Sequence, residues 1–257
     1  MNERIPVNVT IDNQVMTISW DRPDKKNALT QAMYGAAADA LLDAENDNNV
    51  RVVILTGTHD CFTAGNDLND FLNNPAIGDD TPVARFLAAI ASFKKPIIAA
   101  VNGPAVGVGT TMLLHCDMVV AADTSVFSMP FSKLGVCPEA ASSYLLPLMA
   151  GYHRAAELLL LGENFDANTA RDCGIVNRIA PSAEYQTLAR KLAETMAQLP
   201  PNSLRTTKAF LKSSMEQVVS TRMKEEADVF GKMIQGPEAV EAMTAFTERR
   251  PADFSKF

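Results

Sequence analysis

Two stretches of small residues are the first places in this chain where chemistry could occur. Residues 62–67 (FTAGND) follow the apolar run 51–56, and residues 103–110 (GPAVGVGT) follow the apolar run 96–101. Small side chains let a ligand approach the main chain, and free backbone N–H groups at such points can hold an oxyanion. Taken singly, each stretch reads more simply as an ordinary strand-to-helix turn. Neither matches the G-x-G-x-x-G dinucleotide fingerprint or a phosphate-binding loop with its lysine, so hydride transfer and nucleotide hydrolysis are not indicated. Further on, Glu139 follows Pro138 in GVCPEAASSY. A carboxylate there is either a proton carrier or an acid placed at a helix start, where negative charge is favoured. Cys61, Cys116, Cys137 and Cys173 form no C-x-x-C pair, and His59, His115 and His153 stand alone. No metal site or disulfide is expected, and structural roles are expected for the histidines.

The elements that would position these residues are legible from periodicity. Val7, Val9 and Ile11 alternate with polar residues, as does the stretch from Val15 to Trp20, with Asp12-Asn13 between them suited to a turn; this predicts an opening β-hairpin. Thr30 is placed to cap a helix running to about residue 47. The runs RVVILT (51–56), PIIAAV (96–101) and residues 117–122 read as strands buried on both faces. Helices are predicted over 86–93, 111–115, 155–161, 168–173, 182–199, 203–217 and 221–234. Strands alternating with helices indicate an α/β architecture with a mostly parallel sheet. A core over residues 1–195 and a helical region over 196–257 are expected.

Composition sets the broad class. The 257 residues are 47% hydrophobic and 21% charged, as in an ordinary soluble globular protein. No apolar run approaches the ~20 residues that span a bilayer, and the first residues lack a secretory signal pattern. The formal net charge of −7 argues against general nucleic-acid binding. A cytoplasmic location is expected. The final Ser255-Lys256-Phe257 is close to a peroxisomal targeting tripeptide without its usual leucine, so a peroxisomal location stays open.

Taken in order, the segments DRPDKKNAL, RVVILTG, CFTAGNDL, KKPIIAAVNGPAVGVG, CDMVVAAD, FSMPFSKLGVCPEAASS and DCGIVNRIAP resemble the enoyl-CoA hydratase/isomerase (crotonase) superfamily over about residues 5–250. The resemblance implies a crotonase-like spiral of ββα turns, C-terminal helices supporting a homotrimer or hexamer, and an acyl-CoA thioester substrate with no separate cofactor. It implies that the thioester oxygen is held by the backbone N–H groups of Asn66 and Val108. A main-chain donor survives a change of side chain, so these two residue types leave such a hole possible. Arg22, Lys25, Lys26 and Ala64 are the positions it points to for the CoA portion, with a solvated charge cluster as the alternative for the cations. Arg249 and Arg250 are weaker candidates.

Typical hydratases of the family carry two glutamates, and this chain has Thr111 and Phe131 at those positions. Adding water to a double bond needs groups to activate the water and deliver a proton, so hydration is not expected. The run MPFSKLGVCPEAASSY instead resembles the peroxisomal-type Δ3-Δ2-enoyl-CoA isomerases, in which the glutamate after the proline is the base; Glu139 inherits that role. Met112, Phe131 and Leu134 are candidates for an apolar acyl pocket, with plain core packing as their alternative. Ser142 and Tyr144 are placed to orient Glu139. The expected activity is double-bond migration in fatty-acid or related acyl-CoA degradation. The alternatives are a non-catalytic acyl-CoA-binding protein, or another enolate chemistry such as thioester hydrolysis, decarboxylation or ring isomerisation.

Overall fold

The computed structural model describes residues 4–73, 78 and 80–257. The chain opens with β1 (Val7–Asp12) antiparallel to β2 (Val15–Trp20). Asn13 and Gln14 both take positive φ, 47° and 64°, as a two-residue turn matched to strand twist requires. The turn therefore falls one residue later than predicted, because Asp12 still pairs with Val15. Next come α1 (Gln31–Asn46), β3 (Val52–Gly57), α2 (Leu68–Asn73), α3 (Pro82–Ser92), β4 (Ile97–Val101), β5 (Pro104–Val106), α4 (Val108–Thr111) and β6 (Met118–Ala122). The chain continues through β7 (Val126–Ser128), α5 (Ser142–Ala150), α6 (Tyr152–Leu161), β8 (Phe165–Asp166), α7 (Ala167–Asp172), β9 (Arg178–Ala180), α8 (Tyr185–Ala197), α9 (Pro201–Ser213), α10 (Glu216–Met233) and α11 (Pro237–Glu248). Local chemistry sets several of the helix starts: Thr30 and Thr81 accept from Met33 N and Ala84 N, and Asp166 accepts from Thr169 N.

Six strands form one sheet in the order β1-β2-β3-β4-β6-β9, parallel from β2 onward, and β5-β7-β8 form a second. The chain twice leaves the large sheet, adds a strand to the small one and then turns helical: β4-β5-α4 and β6-β7-α5. This is the ββα spiral expected of a crotonase-like fold. β3 is buried along its whole length because both faces are covered. Val53 and Leu55 join the main core with α1 and α3, while Val52 and Ile54 pack under α8. Each such side chain contributes roughly 1.5–3 kcal/mol by leaving water.

On α8 the buried face is Tyr185, Ala189, Ala193 and Ala197, a one-per-turn row of mostly small residues. Because that helix covers the sheet, the division expected at 195/196 falls inside its last turn. The C-terminal helices are fastened separately: Lys208 Nζ donates to Asp117 Oδ2 at 2.6 Å and to Lys95 O at 2.7 Å. No helix among the described residues is long and apolar enough to cross a membrane.

Candidate active site

The two small-residue loops lie against one another. Thr63 N donates to Pro104 O at 3.0 Å and Val106 N donates to Thr63 O at 3.1 Å. Gly65, at φ 89°, brings its α-carbon so near Val106 that an added Cβ would lie 2.8 Å from the Val106 carbonyl oxygen. Asn27 secures the first loop from beneath: its fully buried side chain donates to Thr58 O and Cys61 O and accepts from Arg22 N. Leu29 N donates to Gly65 O and Asp67 N to Leu29 O, a pattern that passes over the N–H of Asn66. Val108 opens α4, whose Thr110 and Thr111 amides return to Gly107 O. Among the described residues neither the Asn66 nor the Val108 N–H has a hydrogen-bond acceptor. Two main-chain donors on adjoining loops are thus left for a ligand.

Glu139 comes from the turn between β7 and α5. It is partly buried, and Thr111 Oγ1 donates to its Oε1 at 3.3 Å. Burial, aided by the negative charge of Glu226, pushes its pKa up to about 7, against the opposing Thr111 hydrogen bond. Tyr34, buried on α1, donates to Asn66 Oδ1 at 2.5 Å. Its own pKa is raised by burial and then by the charge of Glu139. The carboxyl is therefore connected to both donor loops: through Thr111 to the helix that Val108 begins, and within electrostatic reach of the hydroxyl that holds Asn66.

The turn carrying Glu139 is strained. Ala140 and Ala141 are both left-handed, with φ 57° and 55°. For a side-chain-bearing residue this conformation costs about 1–2 kcal/mol each. The peptide group joining them is gripped at both ends: its oxygen meets His115 Nε2 at 2.8 Å, and its N–H donates to Glu226 Oε2 at 2.6 Å. Burial lowers the His115 pKa to about 4, so the neutral ring must carry its proton on Nε2 to donate to that carbonyl.

The other sequence candidates divide. Lys25 and Lys26 are exposed, and Ala64 N donates to Lys26 O at 2.9 Å, so these three are neighbours. Arg22 Nη1 donates to Asp67 Oδ2 at 2.6 Å and to Ala28 O at 3.1 Å, which ties this candidate to the loop. Arg250 is likewise taken up by Glu241 and Glu248. Met112 and Phe131 are buried in the main core, with Leu134 packed against it. Ser142 approaches Glu139 through its main-chain N–H, which donates to Glu139 O at 3.0 Å; its fully buried hydroxyl has no partner, and Tyr144 engages the turn through its backbone. Sequence reasoning missed Tyr34, Glu226 and the Thr111 bond. Thr111 had been singled out as a departure from hydratases, which was a usable signal; the other two are tertiary contacts with no local signature. Among the described residues no group of His, Cys, Asp and Glu side chains is placed to hold a metal ion.

Comparison with known proteins agrees with this architecture. The sequence model of the enoyl-CoA hydratase/isomerase family matches residues 10–256. Enoyl-CoA delta isomerase 2 of Rattus norvegicus is 36% identical over 249 residues, covering 95% of this chain and 63% of its own length. This chain thus spans somewhat less than two thirds of that relative. The peroxisomal enoyl-CoA delta isomerase 3 of Mus musculus is 34% identical, over 94% of this chain and 78% of its own length. A 2,3-dehydroadipyl-CoA hydratase of Escherichia coli is 31% identical, over 96% of this chain and 97% of its own. Among solved structures, an enoyl-CoA hydratase/isomerase from Pseudoalteromonas atlantica superposes with a TM-score of 0.93 at 42% identity, covering 97% of this chain and 100% of its own. OdaA of Pseudomonas aeruginosa also gives 0.93, at 44% identity over 95% and 99%. A family model spanning nearly the whole chain, with delta isomerases among the relatives, shows that this chain belongs to the enoyl-CoA hydratase/isomerase (crotonase) superfamily, on its isomerase branch.

Proposed function

We propose that the chain is a Δ3-Δ2-enoyl-CoA isomerase in which Glu139 carries the proton. The observation that carries this reading is a single carboxyl group with a pKa of about 7, hydrogen-bonded by Thr111 of the helix that Val108 opens, where the amides of Asn66 and Val108 are unpaired among the described residues. The α-proton of a 3-enoyl thioester is acidified by both the carbonyl and the adjacent double bond. Glu139 takes that proton from C2, breaking the C–H bond and leaving a dienolate with its charge on the thioester oxygen. The two amides stabilise that charge, each such donor lowering a barrier by about 3 kcal/mol. Glu139 then delivers the proton to C4, giving the conjugated 2-enoyl thioester and restoring its own charge. No water or net proton is consumed, so one carboxyl with a pKa near neutrality serves as acceptor and donor.

Hydration is disfavoured because Thr111 and Phe131 bring no second acid to the site. The nearby carboxylate, Glu226, already accepts hydrogen bonds on both oxygens. Lys25 and Lys26 supply exposed positive charge for the CoA phosphates. Phe210, Leu211 and Phe246, exposed on the C-terminal helices, support the homo-oligomer.

The test is an absorbance assay of conjugated enoyl-CoA formed from a 3-enoyl-CoA, with 2-enoyl-CoA hydration measured in parallel. Glu139→Gln is expected to lower turnover by about 10³-fold while leaving CoA binding intact. Equal turnover in both proteins removes Glu139 from the mechanism. CoA binding without turnover by wild type selects the non-catalytic alternative, and thioester cleavage, decarboxylation or ring isomerisation on a substrate panel selects another enolate chemistry.

A further inference from the structure

The turn that presents Glu139 is held by a carboxylate from a distant part of the chain. Glu226, on α10, is buried, and each of its partners in the turn is a donor. Ala141 N–H reaches Oε2 at 2.6 Å; Ser143 N–H and Ser143 Oγ reach Oε1 at 3.1 and 2.5 Å. The hydroxyl's direction is fixed, because Arg222 Nη1 donates to Ser143 Oγ at 3.1 Å and so turns its proton toward Glu226. Three donors converging on one buried carboxyl fit its ionised form. The same helix meets α2 through Phe230, whose ring stands edge-on to Phe71 at 6.1 Å. α10 thus touches both sides of the site.

We propose that Glu226 is a positioning residue for Glu139: with His115 it clamps the Ala140–Ala141 peptide in its left-handed turn and so aims the Glu139 carboxyl. The inference rests on the reading of Glu139 as proton carrier. Rotation of this one peptide group would change ψ of Ala140 and φ of Ala141, and with them the turn on which Glu139 stands, and nothing local favours the observed left-handed backbone over an ordinary right-handed one. His115 and Glu226 supply the missing preference, one at the carbonyl and one at the amide.

The groups around Glu139 make the electrostatic part separable. Tyr34 on α1, His115 after α4 and Cys137 in the turn itself are neutral near pH 7: burial raises Tyr34, lowers His115 to about 4 and raises Cys137 to about 11. The charged groups on the α10 side are Glu226 and Arg222, and Arg222 is shared with Glu225 at 3.0 Å. Glu226 raises the proton affinity of Glu139; burial raises the pKa of Glu226 itself, against its bonds from Ser143 and Ala141 and the charge of Arg222, so removing Arg222 weakens the ionised form that acts on Glu139.

The experiment compares pH profiles of kcat and kcat/KM on a 3-enoyl-CoA for wild type, Glu226→Gln, Arg222→Ala and Glu139→Gln, with thermal unfolding of each. In Glu226→Gln the amide NH2 faces another donor, so a loop bond and the charge are lost together. That variant is expected to lose at least about 10-fold in kcat with KM within about 3-fold, and its acid limb should move down by roughly one pH unit. Arg222→Ala, which leaves the Glu226 carboxyl in place but removes the charge favouring its ionised form, is expected to move the limb the same way by less. A merely structural role for Glu226 would lower the melting temperature without moving the limb. If Glu139→Gln is inactive but Glu226→Gln matches wild type in kcat and limb, the positioning role alone is overturned. If Glu139→Gln keeps wild-type turnover, both proposals fall. Should Glu226→Gln not fold, Arg222→Ala together with Ser143→Ala decides: an unmoved limb in both overturns the proposal.

Discussion

The two halves of the site are built on different principles. The amide half, Asn66 and Val108, is set by main chain: adjoining loops exchange backbone hydrogen bonds, and glycines permit the approach. The carboxyl half is set by side chains, with Thr111, His115 and Glu226 holding a turn whose backbone is itself unfavourable. Main-chain donors tolerate many side-chain changes and fail when backbone spacing changes. A side-chain-pegged turn behaves in the opposite way, and each peg is individually replaceable.

This contrast can be tested by breaking each half in turn. On the amide half the largest effect is expected from Gly65→Ala, whose added carbon would collide with Val106 O in a conformation that disfavours side chains. Turnover should fall by about 10²-fold or more through displacement of the Asn66 amide, measured as kcat on a 3-enoyl-CoA. Asn66→Ala, which keeps the amide, should lose far less, and a loss as large as that of Gly65→Ala would break the contrast. Tyr34→Phe removes the hydroxyl that donates to Asn66 Oδ1 and is expected to lower kcat/KM by roughly 5–10-fold, a hydrogen bond's worth of about 1 kcal/mol.

A third test uses stability. The Glu139 pKa rises from an ordinary 4.5 to about 7 on folding, so the group favours the folded state below pH 4.5. That advantage is lost as pH rises through 7, where the buried carboxyl must ionise. Glu139→Gln should therefore melt progressively higher than wild type between pH 5 and pH 8, by at most about 3 kcal/mol and less to the extent that water reaches the carboxyl. A melting difference independent of pH would show that this half is not strained by charge. The smallest effect belongs to neither half: Lys25→Ala with Lys26→Ala is expected to raise KM about 2–5-fold with kcat unchanged, an effect that salt should erase.

The sheet was readable because its strands are buried on both faces, which forces continuous apolar runs such as 51–56 and 96–101. The helix after Thr30 was readable from its cap. Five elements were hidden for physical reasons. α5 begins at a left-handed Ala141 with no capping side chain and contains Pro147, so it shows no start signal and carries a breaker. Strands of two or three residues such as β5, β7 and β8 are too short for a period, and α11 follows Gly236-Pro237, which reads as an interruption. In the site, the loops and Glu139 could be found from motif order, whereas the ion pair that occupies Arg22 and the reach of Glu226 are long-range contacts that neither spacing nor composition encodes.

The location of Glu226 on α10 also orders the making of the molecule. A ribosome releases both amide loops, and Glu139, well before it releases this helix. A growing chain can thus complete its sheet and expose its two unpaired amides while the turn carrying Glu139 is still without its last fastening. Competence is acquired late, when the final helices close over a scaffold already formed.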